Sequence, residues 1–247
     1  MKTWGITDTG LERAENQDAF ATAEIAGFTV AVVCDGMGGT TGGQIASTLA
    51  VDTVMAQLHT ALREDMDEGQ LTQATLYSIA CANDAIRLRA EEDEELSKMG
   101  TTLVCALCRP NGETLLCNIG DSRGYHLSRD GIRQITRDHS VVENMVERGE
   151  LTHAQARHHP NRNLITRALG PEDMAQADHF TVKLQEGEFL LLCTDGLVNT
   201  VSEQEILFEV IHESDLDGCL SRLVKLSCDN GAPDNVTVVL IEHSQNQ

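Results

Sequence analysis

The chain has 247 residues, of which 41% are hydrophobic, enough for one large domain with a full core. Its 18 Lys and Arg residues against 39 Asp and Glu give a formal net charge of −21, which argues against nucleic acid and anionic membranes as partners because like charges repel. The first residues show no apolar signal segment, and no run approaches the roughly 18 apolar residues of a membrane span. We therefore expect a cytoplasmic protein, and its eight cysteines fit a reducing compartment.

The predicted elements alternate between groups of strands and pairs of helices. Strands are predicted at residues 4–7, 28–34 (stopping at Asp35), 101–108, 114–119, 124–127, 178–184, 188–194 and 236–241. Helices are predicted at residues 42–62, 71–92, 140–149, 152–157, 202–212 and 216–229. This order is typical of an α+β protein with antiparallel sheets. Residues 138–170 are polar and rich in Arg and His, and we expect them to leave the core as a flap.

Acidic residues stand at the ends of several predicted strands. Each lies next to an apolar run, and the set is Asp35, Asp121, Asp195 and Asp234. If these strands belong to one sheet system, the carboxylates can converge. Hard divalent cations such as Mg²⁺ and Mn²⁺ prefer oxygen ligands, so the pattern indicates a metal site to which Gly36 can add its carbonyl. No His or Cys belongs to these motifs, which disfavours zinc.

Each of these residues also has a purely structural interpretation. An Asp-Gly pair after a strand is most often a turn. Asp121 can form an ion pair with Arg123, and Asp234 can cap the turn into the last strand. A phosphate ligand would need a cation besides the metal, and Arg13 is a candidate because a guanidinium can bind two phosphate oxygens at once.

Cys105 and Cys108 have the spacing of a metal or redox pair. They lie in a predicted strand, where residues three apart point to opposite faces. We therefore expect both to be ordinary core residues rather than a zinc or redox site.

Taken together, the motifs resemble the metal-dependent protein phosphatases, the type 2C serine/threonine phosphatase family, and most of all its short bacterial members. The motifs, in order, are Arg13-x-x-Asn16-Gln17-Asp18, Asp35-Gly-Met-Gly-Gly39, Gly100-Thr-Thr102, Gly120-Asp-Ser-Arg123, Asp138-His-Ser140, the segment 161–170, Asp195-Gly196 and Asp234-Asn235. Each motif alone is weak, but their order and their spread from residue 4 to residue 241 are specific.

The resemblance implies a single catalytic domain over residues 1–247 with a flap subdomain at about 138–170. Its fold would be a four-layer α-β-β-α sandwich of two antiparallel sheets flanked by helices. By the same resemblance, Asp35 would bridge two core Mn²⁺ or Mg²⁺ ions, and Gly36 would bind one of them through its carbonyl. Asp195 and Asp234 would hold the other core ion, and Asp18 would bind metal waters. Arg13 would bind the phosphate, and Asp121 with Asp195 would hold a weaker third ion.

The implied activity is hydrolysis of phosphoserine and phosphothreonine on proteins by a bridging water, opposing a bacterial Ser/Thr kinase. The expected partners are that kinase and its phosphorylated substrates, and the expected state is a monomer. Met37 stands where many eukaryotic members have a His, so the leaving-group acid stays open between a metal-bound water and His139. Two other functions remain: a binding module on the same fold, and a phosphohydrolase for small metabolites.

Overall fold

The computed structural model describes residues 1–212 and 216–244. In chain order its strands are β1 (Lys2–Asp8), β2 (Asp18–Ile25), β3 (Phe28–Met37), β4 (Gly100–Thr101), β5 (Leu103–Cys108), β6 (Glu113–Ile119), β7 (Arg123–Ser128), β8 (Gly131–Gln134), β9 (Asp178–Lys183), β10 (Phe189–Cys193) and β11 (Val236–Glu242). Its α-helices are α1 (Gly39–Ala61), α2 (Glu68–Glu91), α3 (Val141–Glu147), α4 (His153–Ala156), α5 (Asp195–Val198), α6 (Glu203–His212) and α7 (Leu216–Asp229).

Two antiparallel sheets form the middle of the molecule. One has the strand order β1-β11-β10-β7-β8, and the other has the order β2-β3-β5-β6-β9. The two-residue strand β4 pairs with the end of β3. The predicted α+β class and the sandwich of two antiparallel sheets are confirmed.

The layers follow from the alternation of side chains along buried strands. In β3, Val30 and Val32 pack in one hydrophobic core beneath α1 and α2. Ala31 and Val33 face the opposite way, into a second core that also contains Val239 of β11 in the other sheet. The outer face of that other sheet is covered by α5, α6 and α7 in a third core. Both faces of β3 are therefore buried, which explains its uninterrupted apolar sequence.

The two cysteines with motif-like spacing occupy different cores. Cys105 lies beneath the helices, whereas Cys108 lies between the sheets. Both side chains are fully buried, so Cys105 and Cys108 are core residues on opposite faces of β5.

Two local predictions were wrong at the strand ends. Strand β3 does not stop at Asp35, because Gly36 and Met37 continue the ladder against Thr101 and Gly100 of β4. Helix α5 was not predicted, because a helix of four residues is too short to show a periodic pattern. It begins at Asp195, where the sequence indicated only a turn.

The segment 138–170, called the flap below, leaves the sheets and returns beside its own starting point. Ser140 forms an isolated antiparallel bridge with Ile165, and Leu169 forms another with Thr101. Ser140 and Thr152 cap α3 and α4 by accepting hydrogen bonds from backbone N–H groups. Within the described residues, no helix has the length and apolar character to cross a membrane.

Candidate active site

The acidic residues at the strand ends meet in one cavity of about 580 Å³. Its lining includes Asp35, Gly36, Asp121, Asp195 and Asp234, together with Arg13. They come from both sheets: Asp35 lies in β3, whereas Asp195 and Asp234 flank β10 and β11. The structure therefore brings together all the residues predicted to bind metal directly, whereas Asp18, predicted to bind metal waters, does not line this cavity.

The backbone of Asp35 is fixed on both sides. Its N–H donates to Oγ1 of Thr102 (3.0 Å), and its carbonyl oxygen accepts from Oγ1 of Thr101 (2.8 Å) and from the N–H of Thr102 (2.9 Å). Thr102 Oγ1 is itself 2.6 Å from Oγ of Ser122. These bonds leave the Asp35 carboxylate as the group that enters the cavity.

Asp18 is directly opposite Asp35 in the β2–β3 ladder and is 8% exposed. Its Oδ2 accepts hydrogen bonds from Oγ1 of Thr194 (2.9 Å) and Oγ1 of Thr237 (2.7 Å). Its Oδ1 is buried and has no hydrogen-bond partner among the described residues. Buried polar oxygens are rarely without a partner, so this oxygen is suited to accept a hydrogen bond from a metal-bound water.

The carboxylates make the metal-free site electrostatically unfavourable. Burial raises the pKa of Asp18 to about 7 and that of Asp195 to about 6, and the neighbouring carboxylates add to both shifts. The pKa values of Asp35 and Asp121 are also raised well above the ordinary value, by burial first and then by the facing carboxylates. Bound cations would stabilise the ionised forms of all these groups.

One of the two structural alternatives is ruled out by the partner of Arg123, whereas Asp234 does accept a hydrogen bond at its Oδ1 from the N–H of Asn235 (2.9 Å) at the start of the last strand. Arg123 donates from Nε (3.0 Å) and Nη2 (2.7 Å) to the carboxylate of Asp138, so its ion pair is made with that residue. Arg13 donates from Nη2 to Oδ2 of Asp234 (2.7 Å). That pair is half-exposed, with 53% and 31% of the two side chains accessible, and such pairs contribute little to stability. Arg13 can therefore exchange this contact for a ligand.

Asn235 is a residue whose role was missed in the sequence. Its Oδ1 accepts from the N–H of Gln17 (2.8 Å), and its Nδ2 donates to the carbonyls of Thr9 (2.9 Å) and Glu15 (3.0 Å). It thereby holds the loop that carries Arg13 against the start of β11. The sequence motif Asp234-Asn235 pointed to this position, but its Asp alone was given a role.

His139 does not reach the cavity. It is 4% exposed, and its Nδ1 accepts from the N–H of Gly120 (3.2 Å). Its Nε2 lies 3.2 Å from Oδ2 of Asp178, and burial lowers its pKa. Both ring nitrogens are engaged, Nδ1 by the turn before Asp121 and Nε2 by Asp178, so the structure gives no support to His139 as the leaving-group acid.

The donor set fits hard divalent cations. It consists of carboxylate oxygens, the carbonyl of Gly36 and the free Oδ1 of Asp18. Across residues 1–212 and 216–244, no three His, Cys, Asp or Glu side chains are close enough to hold an ion by themselves. Mg²⁺ usually keeps several waters and takes only one or two carboxylates, so waters would complete such a site.

The sequence profile of the protein phosphatase 2C family matches residues 12–224. The chain belongs to this family. Along 241 residues it is 36% identical to the serine/threonine phosphatase stp of Listeria innocua, which covers 96% of this chain and 94% of the relative. The family resemblance drawn from the ordered motifs is confirmed.

Solved structures agree in fold. The crystal structure of a bacterial serine phosphatase superposes with a TM-score of 0.92 at 33% identity, over 100% of this chain and 99% of that one. The catalytic domain of the serine/threonine protein phosphatase PstP, solved in complex with two manganese ions, gives a TM-score of 0.84 at 32% identity, over 98% and 97% of the two chains.

Proposed function

We propose that this protein is a serine/threonine protein phosphatase that depends on Mn²⁺ or Mg²⁺. The observation that carries the proposal is the cavity in which buried carboxylates from both sheets face one another beside the guanidinium of Arg13. The family membership and the manganese in the related PstP structure support it.

The acidic residues and Gly36 would bind the metal ions, each in a different position. Asp35 would contact both core ions, Gly36 would bind one through its carbonyl, and Asp195 and Asp234 would hold the other. Asp121 with Asp195 would hold a third ion, and Asp18 would orient a metal-bound water through its free Oδ1. When bound, the cations would supply an acidified water as nucleophile and would neutralise the phosphate charge.

Arg13 would bind and orient the substrate phosphate. A guanidinium can donate to two phosphate oxygens at once, and it would stabilise the charge that grows on them during transfer. The side chain lines the cavity and is held there by its half-exposed pair with Asp234. Met37 also lines the cavity but has no proton to give, so we propose that a water protonates the leaving oxygen.

We also propose a domain organisation, an oligomeric state, a location and partners for the protein. We propose one catalytic domain over residues 1–247 whose flap at 138–170 tunes access, because Asn163 and Ile165 of the flap line the cavity. We propose that the protein acts as a monomer in the cytoplasm on phosphoproteins, including a Ser/Thr kinase and its substrates. The cysteines buried as small apolar residues in the strands, such as Cys34 and Cys193, are compatible with a reducing compartment.

The experiment that tests the function compares a phosphothreonine peptide with a nucleotide at equal concentration. We expect Mn²⁺-dependent release of phosphate from the peptide, none in EDTA, and a far slower reaction with the nucleotide. Preference for the nucleotide would indicate a small-metabolite phosphohydrolase. Tight peptide binding without turnover in Mn²⁺ would indicate a binding module.

The stabilisation by Mn²⁺ should grow with pH between pH 5 and pH 8. The pKa values of Asp18 and Asp195 in the metal-free protein are about 7 and about 6, against an ordinary value of 3.8. A carboxyl with a raised pKa stabilises the fold while protonated, and this stability is lost as the pH rises through the raised value. Cations compete with those protons, so the difference in thermal midpoint between Mn²⁺ and EDTA should widen with pH. A difference in thermal midpoint that stays constant or shrinks as the pH rises would contradict this expectation.

A further inference from the structure

A second cavity, of about 810 Å³, lies beside the metal cavity. The flap forms one wall through α3 and α4, and residues 198–203 around α5 and α6 form the other. Asp121 and Asp195 line both cavities. A peptide with its phosphate at the metal cavity can therefore place a neighbouring residue in this second space, called the flap groove below.

The flap wall of the groove carries positive charge. Arg157 and Arg162 line it with exposed side chains, and within residues 1–212 and 216–244 neither has a carboxylate within ion-pair distance. Two other arginines of the lining are already paired, because Arg123 binds Asp138 and Arg137 binds Glu147. In a chain of net charge −21, a pair of uncompensated guanidiniums at one groove favours an anionic occupant.

The carboxylates of the groove leave room for such an occupant. Asp138 is neutralised by Arg123, and Glu143 lies 3.9 Å from Nδ1 of His153. Glu203 lines the opposite wall, at the start of α6. The other two carboxylates of the lining, Asp121 and Asp195, also line the metal cavity. An anion would therefore lie against the flap wall, away from these two and from Glu203.

We propose that the flap groove binds a second anionic group on the same peptide substrate. This inference rests on the proposed phosphatase function and specifies its substrate class. A second phosphate fits best, because it carries nearly two negative charges and can accept paired hydrogen bonds from a guanidinium. An Asp or Glu side chain offers the same chemistry with less charge.

The test compares phosphothreonine peptides that differ at one other position. That position, two to five residues away on either side, carries phosphoserine, Glu or Ala. With wild-type protein and Mn²⁺, we expect kcat/KM to be about tenfold higher for the doubly phosphorylated peptide than for the Ala peptide, at the spacing that gives the largest effect. The Glu peptide should give an intermediate kcat/KM. A higher value for Glu than for phosphoserine would overturn the second phosphate as the better occupant.

Variants locate the preference in the groove. The double variant Arg157→Gln with Arg162→Gln should reduce the ratio between the two peptides to less than about twofold. Arg148→Gln is the matched control, because Arg148 also belongs to the flap but is paired with Glu150 and does not line the groove. It should keep the wild-type ratio.

The outcomes separate the groove from the phosphatase function. Equal kcat/KM for all peptides in wild type, or a ratio that survives the double variant, would overturn the second anion site while leaving the phosphatase intact. If no peptide is hydrolysed, the proposed function is wrong. The affinities of the intact protein for the two peptides in Mn²⁺ then test the groove alone, and equal affinities would overturn it.

Discussion

Replacing Asp35 with Asn should reduce Mn²⁺-dependent hydrolysis of a phosphothreonine peptide by about a thousandfold or more. The amide keeps the size of the side chain but loses the charge that is proposed to contact both core ions. The backbone bonds from Thr101 and Thr102 do not involve the side chain, so the fold should persist. Steady-state kinetics of both proteins at saturating Mn²⁺ measure the effect.

Stability measurements show whether this loss is local to the metal site. In EDTA the Asp35→Asn protein should be at least as stable as wild type, because a buried carboxylate crowded by others is removed. The gain in thermal midpoint on adding Mn²⁺ should be largely lost. Asp8→Asn is the matched control: Asp8 also ends a strand, lies outside the cavity lining, and accepts a hydrogen bond from Gly10 that Asn can also accept. Retention of more than about a tenth of the activity by Asp35→Asn would contradict the role of Asp35.

Replacing Gly36 with Ala should destabilise the protein by more than about 3 kcal/mol and abolish activity with it. A Cβ at this position would lie 2.6 Å from the carbonyl oxygen of Gln17 and closer still to that of Gly43. Both obstacles are backbone atoms, and Gly36 already donates its N–H to Gln17 (3.1 Å). The strand that carries Asp35 would have to move away from the loop after Arg13. Urea unfolding of the metal-free protein measures this cost.

A second glycine provides the control. Gly69 lies in the first turn of α2, where a Cβ would lie 3.3 Å from Oδ1 of Asp67, the side chain that caps this helix, and would meet no backbone atom within 4 Å outside the helix. Gly69→Ala should leave stability unchanged or raise it by up to about 1 kcal/mol, because Ala favours the helix. Gly36→Ala with a free energy of unfolding within about 1 kcal/mol of wild type would show that the strand and loop are not packed as described.

The acidic residues of the site were predictable because they lie next to strands that are recognisable in the sequence as apolar runs. The run before Asp35 and the run before Asp195 are apolar without interruption, as strands buried on both faces must be. An acid at the end of such a strand is held at the edge of the core. Local patterns therefore indicated the candidate ligands and most of the longer elements, and the ordered motifs indicated the family.

The support behind those acids was not predictable, because it depends on contacts between distant parts of the chain. Thr194 and Thr237 bind Asp18 across 176 and 219 positions. Asn235 holds Gln17 across 218 positions. No local pattern fixes the β1–β11 pairing that brings the two ends of the chain together. The same pairing places Asp234 beside Arg13, a contact that the motifs alone did not suggest.

The proposed metal centre is tested most directly by anomalous diffraction at the manganese edge, from crystals of this protein grown with Mn²⁺. We expect two strong manganese peaks in the cavity, both next to the Asp35 carboxylate. One should lie near the Gly36 carbonyl and the other near Asp195 and Asp234. A third, weaker peak is expected between Asp121 and Asp195. Manganese that binds elsewhere, with none at Asp35, would contradict the metal centre and the mechanism built on it.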